Sequence, residues 1–255
     1  MVRKIMLAAM LLLVLVASLI AAEMTADDLI AKYFAATGGE QSLRALKSMS
    51  IKGTAFGQGM SMDLKASYVL PNKMYMENGM NGIVMNATAT NGKDAWVVVP
   101  MLNSSYSITG DDKESIAEQA NRFPLLDYKK AGGTAKLIGE DLVKGAKAFK
   151  LQYVGPSKDT TIYYFDATTY LPVKEKRGEA VVSYSDYRKT GGLTLPHKIS
   201  VQAGAQTSMM TVDTIIVNQP IADSLFVMPK DVKPYDSLKA LQQRMQGGGG
   251  AGGGK

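Results

Sequence analysis

The sequence contains no cysteine, and this absence excludes several kinds of chemistry. Without cysteine there is no disulfide, no thiolate metal site and no cysteine nucleophile. The lipid-modified cysteine that follows the signal peptide of a lipoprotein is excluded as well. An exported domain of this chain would fit a bacterial periplasm and would be held together by its hydrophobic core.

Side chains suited to catalysis are also scarce. His197 is the only histidine, and no partner for a triad or a metal site stands near it in the sequence. We expect it to be a satisfied histidine at the surface or at a strand rim. Acidic pairs such as Asp27-Asp28 fall at predicted helix starts, where carboxylates are favourable without catalysis. The sequence predicts no catalytic residue, no metal and no cofactor, and a carboxylate enzyme is the weakest alternative.

Charge of one sign is not concentrated anywhere in the chain. The formal net charge is +6, and two units of it come from Arg3 and Lys4. A mild excess that is spread along the chain favours solubility and argues against nucleic acid as a partner.

The N-terminus has the three-part layout of a secretory signal peptide. Residues 5–20 are almost wholly apolar, and small residues end at Ala22 before an acidic, polar run. A retained membrane anchor is the alternative, although the apolar run is short for a membrane-spanning helix. We therefore predict a signal peptide over residues 1–22, one domain over 23–235, and a short helix with a flexible glycine-rich tail over 236–255.

The remaining pattern is mainly β. The spacing of apolar residues predicts a helix over residues 25–37, capped by Thr25 and ended by Gly38-Gly39, and a short helix after it. The period then changes to two, which predicts ten to twelve antiparallel strands that are interrupted by two short helices over 111–131. A sheet of that length must curl or close. A last helical turn is predicted to pack Phe226 on the core.

Methionine is concentrated in the stretch GMSMDLKASYVLPNKMYMENGM, residues 59–80. In its first strand Met60, Met62 and Leu64 share a face with Tyr68, whereas the other face is polar. Methionine is over-used on surfaces that accept varied partners, but it also fills gaps in cores. The pattern leaves two interpretations open, namely a surface for a variable apolar ligand and packing between a sheet and a helix.

If the predicted strands are adjacent, their apolar side chains form one contiguous patch. On the assumption that the face of Met60 points inward, the candidates for a lipid cavity are Met60, Met62, Leu64, Tyr68, Met74, Met76, Met85, Trp96 and Val98. The two short helices between the β halves would form a lid. Its candidate residues are Ile116, Phe123, Leu125 and Leu126.

The order of several motifs resembles the outer membrane lipoprotein-sorting family, the LolA/LolB-like proteins. The similar segments run from Ala26 to Pro229, nearly the whole predicted domain. They are ADDLIAKYFAATGGEQSLRALKSMSIKG, NGKDAWVVVP, RFPLLDYKKAGGTAKLIGEDLVKGAKAFKLQYV, YYFDATTYLPVKEK, SDYRKTGGLTLPHKI and NQPIADSLFVMP.

The resemblance implies a curved, half-open antiparallel β-barrel covered by short helices. It implies a soluble periplasmic carrier that binds lipid or lipoprotein acyl chains in an apolar cavity, with membrane-bound donor and acceptor proteins as partners. A periplasmic sensor or protein-interaction domain without a transport role is the alternative. Arg44 and Arg122 are candidates, by position alone, for the arginine that locks the lid of such carriers. Because a long acyl chain in water costs on the order of 10 kcal/mol, we expect a deep apolar hollow.

Overall fold

The structure is a computed structural model that describes residues 24–240. The predicted signal peptide and the glycine-rich tail beyond residue 240 lie outside the described residues. Between residues 24 and 240, no helix has both the length and the apolar character needed to cross a membrane.

The described chain begins with helix α1, Ala26–Thr37, and the short helix α2, Glu40–Arg44. Thr25 caps α1 as predicted, because its hydroxyl oxygen accepts the backbone N–H of Asp28 at 3.1 Å and the Asp28 carboxylate accepts the N–H of Thr25 at 2.9 Å. Gly38 ends α1 at a φ of +131°, which favours glycine. A Cβ atom there would also collide with the backbone oxygen of Gly192.

Within residues 24–240, fourteen strands form one sheet. Their bounds are β1 Ser48–Gly57, β2 Met60–Val69, β3 Lys73–Met80, β4 Ile83–Thr90, β5 Ala95–Val99, β6 Ser104–Ile108, β7 Thr134–Val143, β8 Ala146–Val154, β9 Thr160–Asp166, β10 Pro172–Arg177, β11 Ala180–Thr190, β12 Leu193–Ala203, β13 Gln206–Val217 and β14 Val232–Pro234. The sequence-based count of ten to twelve was too low. It missed β6, whose sequence SSYSI is rich in serine, and β14, which has only three residues.

Two antiparallel meanders, β1–β6 and β7–β13, are joined where β1 pairs with β13. We call this pairing the seam. The sheet stays open, with β7 at one edge and β14, which pairs in parallel with β6, at the other. The sheet with its few helices is the curved, half-open barrel that the sequence predicted.

The segment between β6 and β7 crosses the sheet, because these two strands lie near opposite edges. It consists of helix α3, Gly110–Ala120, and a series of turns over residues 121–133. We call residues 109–133 the cover. The second helix predicted here does not form. Pro124 disfavours a helical residue before it, and Gly132 and Gly133 end the segment in turns.

Helix α1 and the cover pack on the same face of the sheet, which we call the inner face. Leu29 and Phe34 of α1 and Phe123 of the cover share one buried cluster with Tyr68 and Met74 of the sheet. A second cluster covers β5 and β6 on the same face. There Leu238, in a helix that follows β14, is buried among Ala95, Val97, Tyr106 and Ile108.

A third buried group lies on the outer face. A 3₁₀ turn over Asp223–Phe226 packs against β3 and β4, and Phe226 is buried there. The predicted last turn is therefore present, and its phenylalanine covers the outer face.

Candidate functional site on the inner face

Beneath α1 and the cover the inner face is filled. Leu29 and Leu151 have no exposed surface, and Phe123, Leu125 and Tyr128 of the cover pack in the same cluster. We call this region the covered part. Two depressions of the described surface lie elsewhere, one beside α3 and one beside β14. The deep hollow implied by the resemblance is occupied here by the protein's own side chains.

Another part of the inner face is uncharged but incompletely buried. The adjacent strands β2, β1, β13, β12 and β11 each contribute a partly exposed side chain to one row, because these residues stand directly opposite one another in the register. A second, shorter row lies beside it on β11 and β12. We call these two rows the floor. Its residues are Met62, Ala55, Met210, Ile199, Tyr184, Val182 and Val201.

Polar side chains stand at one end of the floor. Glu175 pairs with Val182 of the floor and with Tyr163 in the register, so all three point to the inner face. Burial raises the pKa of Glu175, and Tyr184, Arg177 and Arg122 offset part of that rise. Burial also raises the pKa of the Tyr163 and Tyr184 hydroxyls. Near neutral pH this end therefore offers neutral hydroxyl donors beside a carboxyl group that holds its proton more tightly than usual.

Arg122 brings a positive charge from the cover to the same end. Its guanidinium carbon lies 5.0 Å from the centre of the Tyr68 ring, a cation–π arrangement. Among the described residues, its Nε is the one buried side-chain nitrogen or oxygen without a hydrogen-bond partner. A buried donor in this state costs free energy. An oxygen atom of a ligand could accept from it.

Exposed polar contacts hold the cover in place. Arg44 of α2 donates from Nη1 to the Asp127 carboxylate at 3.0 and 3.2 Å and from Nη2 to the Leu126 carbonyl oxygen at 3.3 Å. Asp27 of α1 accepts from the Tyr128 hydroxyl at 2.7 Å and from the Lys129 amine at 2.6 Å. Ion pairs at such exposure are weak individually. These contacts supplement the buried packing of Phe123, Leu125 and Tyr128 and orient the cover against α1 and α2.

The structure places most predicted cavity residues on the inner face at different depths. Leu64, Tyr68 and Met74 are buried, Met76 packs on the core from a partly exposed position, and Met62 belongs to the floor. Met60 begins β2 at the turn and is half exposed. These residues lie together on adjacent strands of the inner face.

Three predicted cavity residues lie elsewhere. Trp96 stands opposite Ala89, which stands opposite Tyr75, and this row continues the polar face of β2. Trp96 and Val98 are therefore on the outer face, and their grouping with the cavity was wrong. Met85 is the residue that the register between β3 and β4 skips at a β-bulge.

The predicted lid residues all belong to the cover. Phe123 and Leu125 are buried, and Leu126 and Ile116 are partly exposed. Ile116, on α3, packs against both inner-face clusters. The role of this segment as a lid stays a prediction.

Sequence reasoning missed the half of the floor that comes from β11, β12 and β13. The alternation of apolar and polar residues in these strands is visible in the sequence, as in Ile199 and Val201 on either side of Ser200. The seam that places them beside the methionine strands joins residues as distant as Met49 and Val217. No local pattern reports a pairing of that separation.

The single histidine and the acidic residues were the candidates for catalysis or metal binding. His197 is buried, contrary to the expectation of a surface position, and its Nδ1 lies 3.1 Å from the Leu195 carbonyl oxygen. Residues 24–240 contain no group of three or more side chains suited to holding a metal ion.

No protein-family model matches the chain, and no curated protein matches it in sequence. Solved structures do match in fold. A DUF1329 family protein from Desulfovibrio piger has a TM-score of 0.59 at 12% identity, over 78% of this chain and 97% of its own. A putative outer membrane lipoprotein-sorting protein domain from Vibrio parahaemolyticus has a TM-score of 0.59 at 10% identity, over 78% and 94%.

A LolA superfamily protein from Nitrosomonas europaea matches 81% of this chain and 99% of its own, with a TM-score of 0.56 at 11% identity. The match covers at least 94% of each of these three chains, so the similarity includes their whole architecture. At these identities the likeness concerns the fold and leaves the ligand open. The chain has the LolA-like fold, as the order of its sequence motifs implied.

Proposed function

We propose that the inner face binds the acyl chain of a lipid or a lipoprotein, without catalysis. The observation that carries this proposal is the floor, a continuous uncharged surface that remains partly exposed beside an otherwise packed core. Partly exposed methionine, isoleucine and valine lose water contact when a hydrocarbon covers them, which is favourable. Two methionines in the long row allow the surface to adapt to chains of different shape.

The floor alone would give only part of the required affinity. A chain of about 16 carbons gains roughly 0.8 kcal/mol for each buried CH₂, so burial on one side yields about half of the full value. Transport through water requires that the other side of the acyl chain is buried as well. The cover is the element that can supply it, since it already lies on the inner face and its links to α1 and α2 are exposed.

The polar end of the floor suits the oxygen-bearing end of such a ligand. An ester or carboxylate oxygen would satisfy the buried Nε of Arg122, and the Tyr184 hydroxyl lies at the same end. A ligand of this class would therefore place its tail along the methionines and its oxygens near Arg122.

Location and partners follow from the same proposal. The predicted signal peptide would export the chain to the periplasm as a soluble protein, where lipid or acylated lipoprotein needs a carrier. Membrane-bound donor and acceptor proteins would load and unload it. The Vibrio parahaemolyticus structure is described as a putative outer membrane lipoprotein-sorting protein domain, which agrees with this assignment.

A periplasmic sensor or protein-interaction domain is the second candidate. The filled covered part favours it, because a domain without cargo has no need of an empty space. Solvent extraction of protein recovered from expressing cells, followed by mass spectrometry, separates the two. Stoichiometric lipid indicates a carrier. Its absence, together with no uptake of a fluorescent fatty acid, indicates the sensor.

A pair of neighbouring substitutions tests the floor. Ile199 faces inward and Ser200 faces outward on β12. Ile199→Asp should weaken binding of a fluorescent fatty acid by roughly two orders of magnitude, because an acyl chain cannot solvate a carboxylate. Ser200→Asp should leave it unchanged. Equal affinities for the two variants, with equal unfolding midpoints, would exclude the floor as the binding surface.

The cover is tested by locking it. The chain has no native cysteine, so Asp27→Cys with Lys129→Cys can be joined by a reducible linker specific for thiols. We expect the linked protein to take up little fatty acid and to recover after reduction. Uptake that is the same before and after reduction would remove the cover from the mechanism.

A further inference from the structure

Exposed apolar side chains collect at one end of the sheet. The turns β1–β2, β3–β4, β5–β6 and β12–β13 all lie at this end, because Gly57 pairs with both Met60 and Ser208 and the neighbouring strands continue the same register. We call these four turns the rim. Ten large hydrophobic side chains are exposed in residues 24–240, and six of them lie in these turns or in the strand ends beside them: Phe56, Met60, Ile83, Met101, Leu102 and Met209.

The exposure is high for residues of this type. Met101 is 71% exposed, Ile83 64% and Phe56 55%. Single exposed hydrophobic residues are normal on protein surfaces and need no explanation, whereas a concentration of them marks an interaction site. Phe56 and Met209 also stand directly opposite each other across the seam, so the ends of the β1–β2 and β12–β13 hairpins share one exposed apolar pair.

Charge is absent from the same four turns. Each lies in an uncharged stretch of the sequence, and these stretches cover residues 53–62, 78–92, 95–110 and 199–212. Asp63, just beyond the first stretch, reaches the β3–β4 turn, where its carboxylate accepts the backbone N–H of Gly82 at 3.1 Å. On either side of the rim the charges return, with Asp231 and Lys233 next to β6 and Arg177 and Glu179 beyond β12.

The shape of the rim fits a fluid partner. Neighbouring turns are two strands apart, so four of them form an arc of about 30 Å with apolar points roughly 10 Å apart. A protein partner would need a separate socket for each point. A lipid bilayer deforms around every one, and its interface accepts the uncharged asparagine, glutamine, serine and glycine between them.

We propose that the rim docks on a lipid bilayer, with Phe56, Ile83 and Met101 entering the boundary between headgroups and acyl chains. The attraction is apolar, so it does not depend on anionic lipid. This proposal goes beyond acyl-chain binding by the inner face and stands independently of it.

Single cysteines test the proposal in the complete protein, since the chain has none of its own. An environment-sensitive fluorophore is attached at Ile83→Cys or Met101→Cys and mixed with phosphatidylcholine vesicles, some of which carry spin-labelled acyl chains. We expect a rise and a blue shift of emission, and quenching by the spin label. Leu142→Cys is the matched control, because it is 67% exposed at the opposite end of the sheet and should show neither change.

The fluorophore reports whether the labelled residue itself is in contact with lipid. The result can therefore be interpreted even if an N-terminal apolar segment anchors the protein to the vesicles. Ile83→Ser with Met101→Ser, read by a probe at Phe56→Cys, should weaken vesicle binding or quenching roughly ten-fold. Identical spectra at Ile83, Met101 and Leu142 would overturn the proposal. Emission that rises with protein concentration in the absence of vesicles would assign the rim to contacts between copies of the chain and would equally overturn it.

Discussion

The covered part and the floor belong to one face of one sheet, yet they differ in what lies over them. In the covered part, Leu151 and Phe165 are almost completely buried beneath α1 and the cover. On the floor, Ile199 and Met210 point to the same side but keep partial exposure. The alternation of apolar and polar residues is equally clear in both. Alternation therefore reports which face of a strand is turned inward, and it does not report whether another element covers that face.

The largest expected difference between the two regions is in stability. Phe165→Ala should lower the free energy of unfolding by about 3–5 kcal/mol, because it leaves a cavity in packed surroundings. Ile199→Ala on the floor should lower it by about 1 kcal/mol, because solvent already reaches the site. Denaturant unfolding of both variants checks this. Equal losses would mean that the floor is as tightly packed as the covered part.

The C-terminal helix extends the covered part over β5 and β6. Leu238 is 5% exposed in the second cluster, so Leu238→Ala should lower the free energy of unfolding by about 2 kcal/mol. The exposed Lys239 serves as the control, and Lys239→Ala should have a much smaller effect. If Leu238→Ala had no effect, the helix would be a dispensable appendage.

Glu175 should make the polar end of the floor sensitive to pH. Burial raises the pKa of its carboxyl in the folded protein, so the folded state binds more protons than the unfolded state between the ordinary and the raised pKa. Stability should therefore fall as the pH rises through that window. Glu175→Gln should stabilise the protein at neutral pH and lose this advantage at acidic pH. An advantage that does not change with pH, or one shared by the exposed Glu179→Gln, would contradict this.

The smallest expected change in stability concerns the border between the two regions. Arg44→Ala removes the contacts with Asp127 and the Leu126 carbonyl oxygen and should alter stability little, since these groups are exposed. If the cover opens for an acyl chain, fatty acid uptake measured by stopped-flow fluorescence should become faster. Arg188→Ala, which removes a local pair with Asp186, should leave the rate unchanged.

Local signals were sufficient for most of the secondary structure. Thr25 with Asp28 predicted the start of α1, and alternation with intervening turn residues predicted twelve of the fourteen strands. The secondary-structure prediction was wrong where the local signals were weak or where two signals favoured different structures. The turns after Pro124 carry helix-forming residues, but the proline before them and the two glycines after them prevail over that local preference.

The candidate site was harder to predict, because it depends on register. The polar residues between the β2 methionines favoured an inward direction for the methionines, but that direction entered the sequence analysis as an assumption. Trp96 is as apolar as any cavity residue, and only the order of pairings through β3 and β4 shows that it faces outward. The floor residues from β11 to β13 needed the seam, a pairing between the two ends of the domain.

The seam has a consequence for biosynthesis. Strand β1 is made early, but its partner β13 is synthesised near the end of the domain. Until then one edge of β1 offers unpaired amide and carbonyl groups, which invite aggregation. Completion of the sheet should be slow, because contacts between distant segments form late, and a nascent chain of this design would benefit from chaperones that keep it unfolded until synthesis ends.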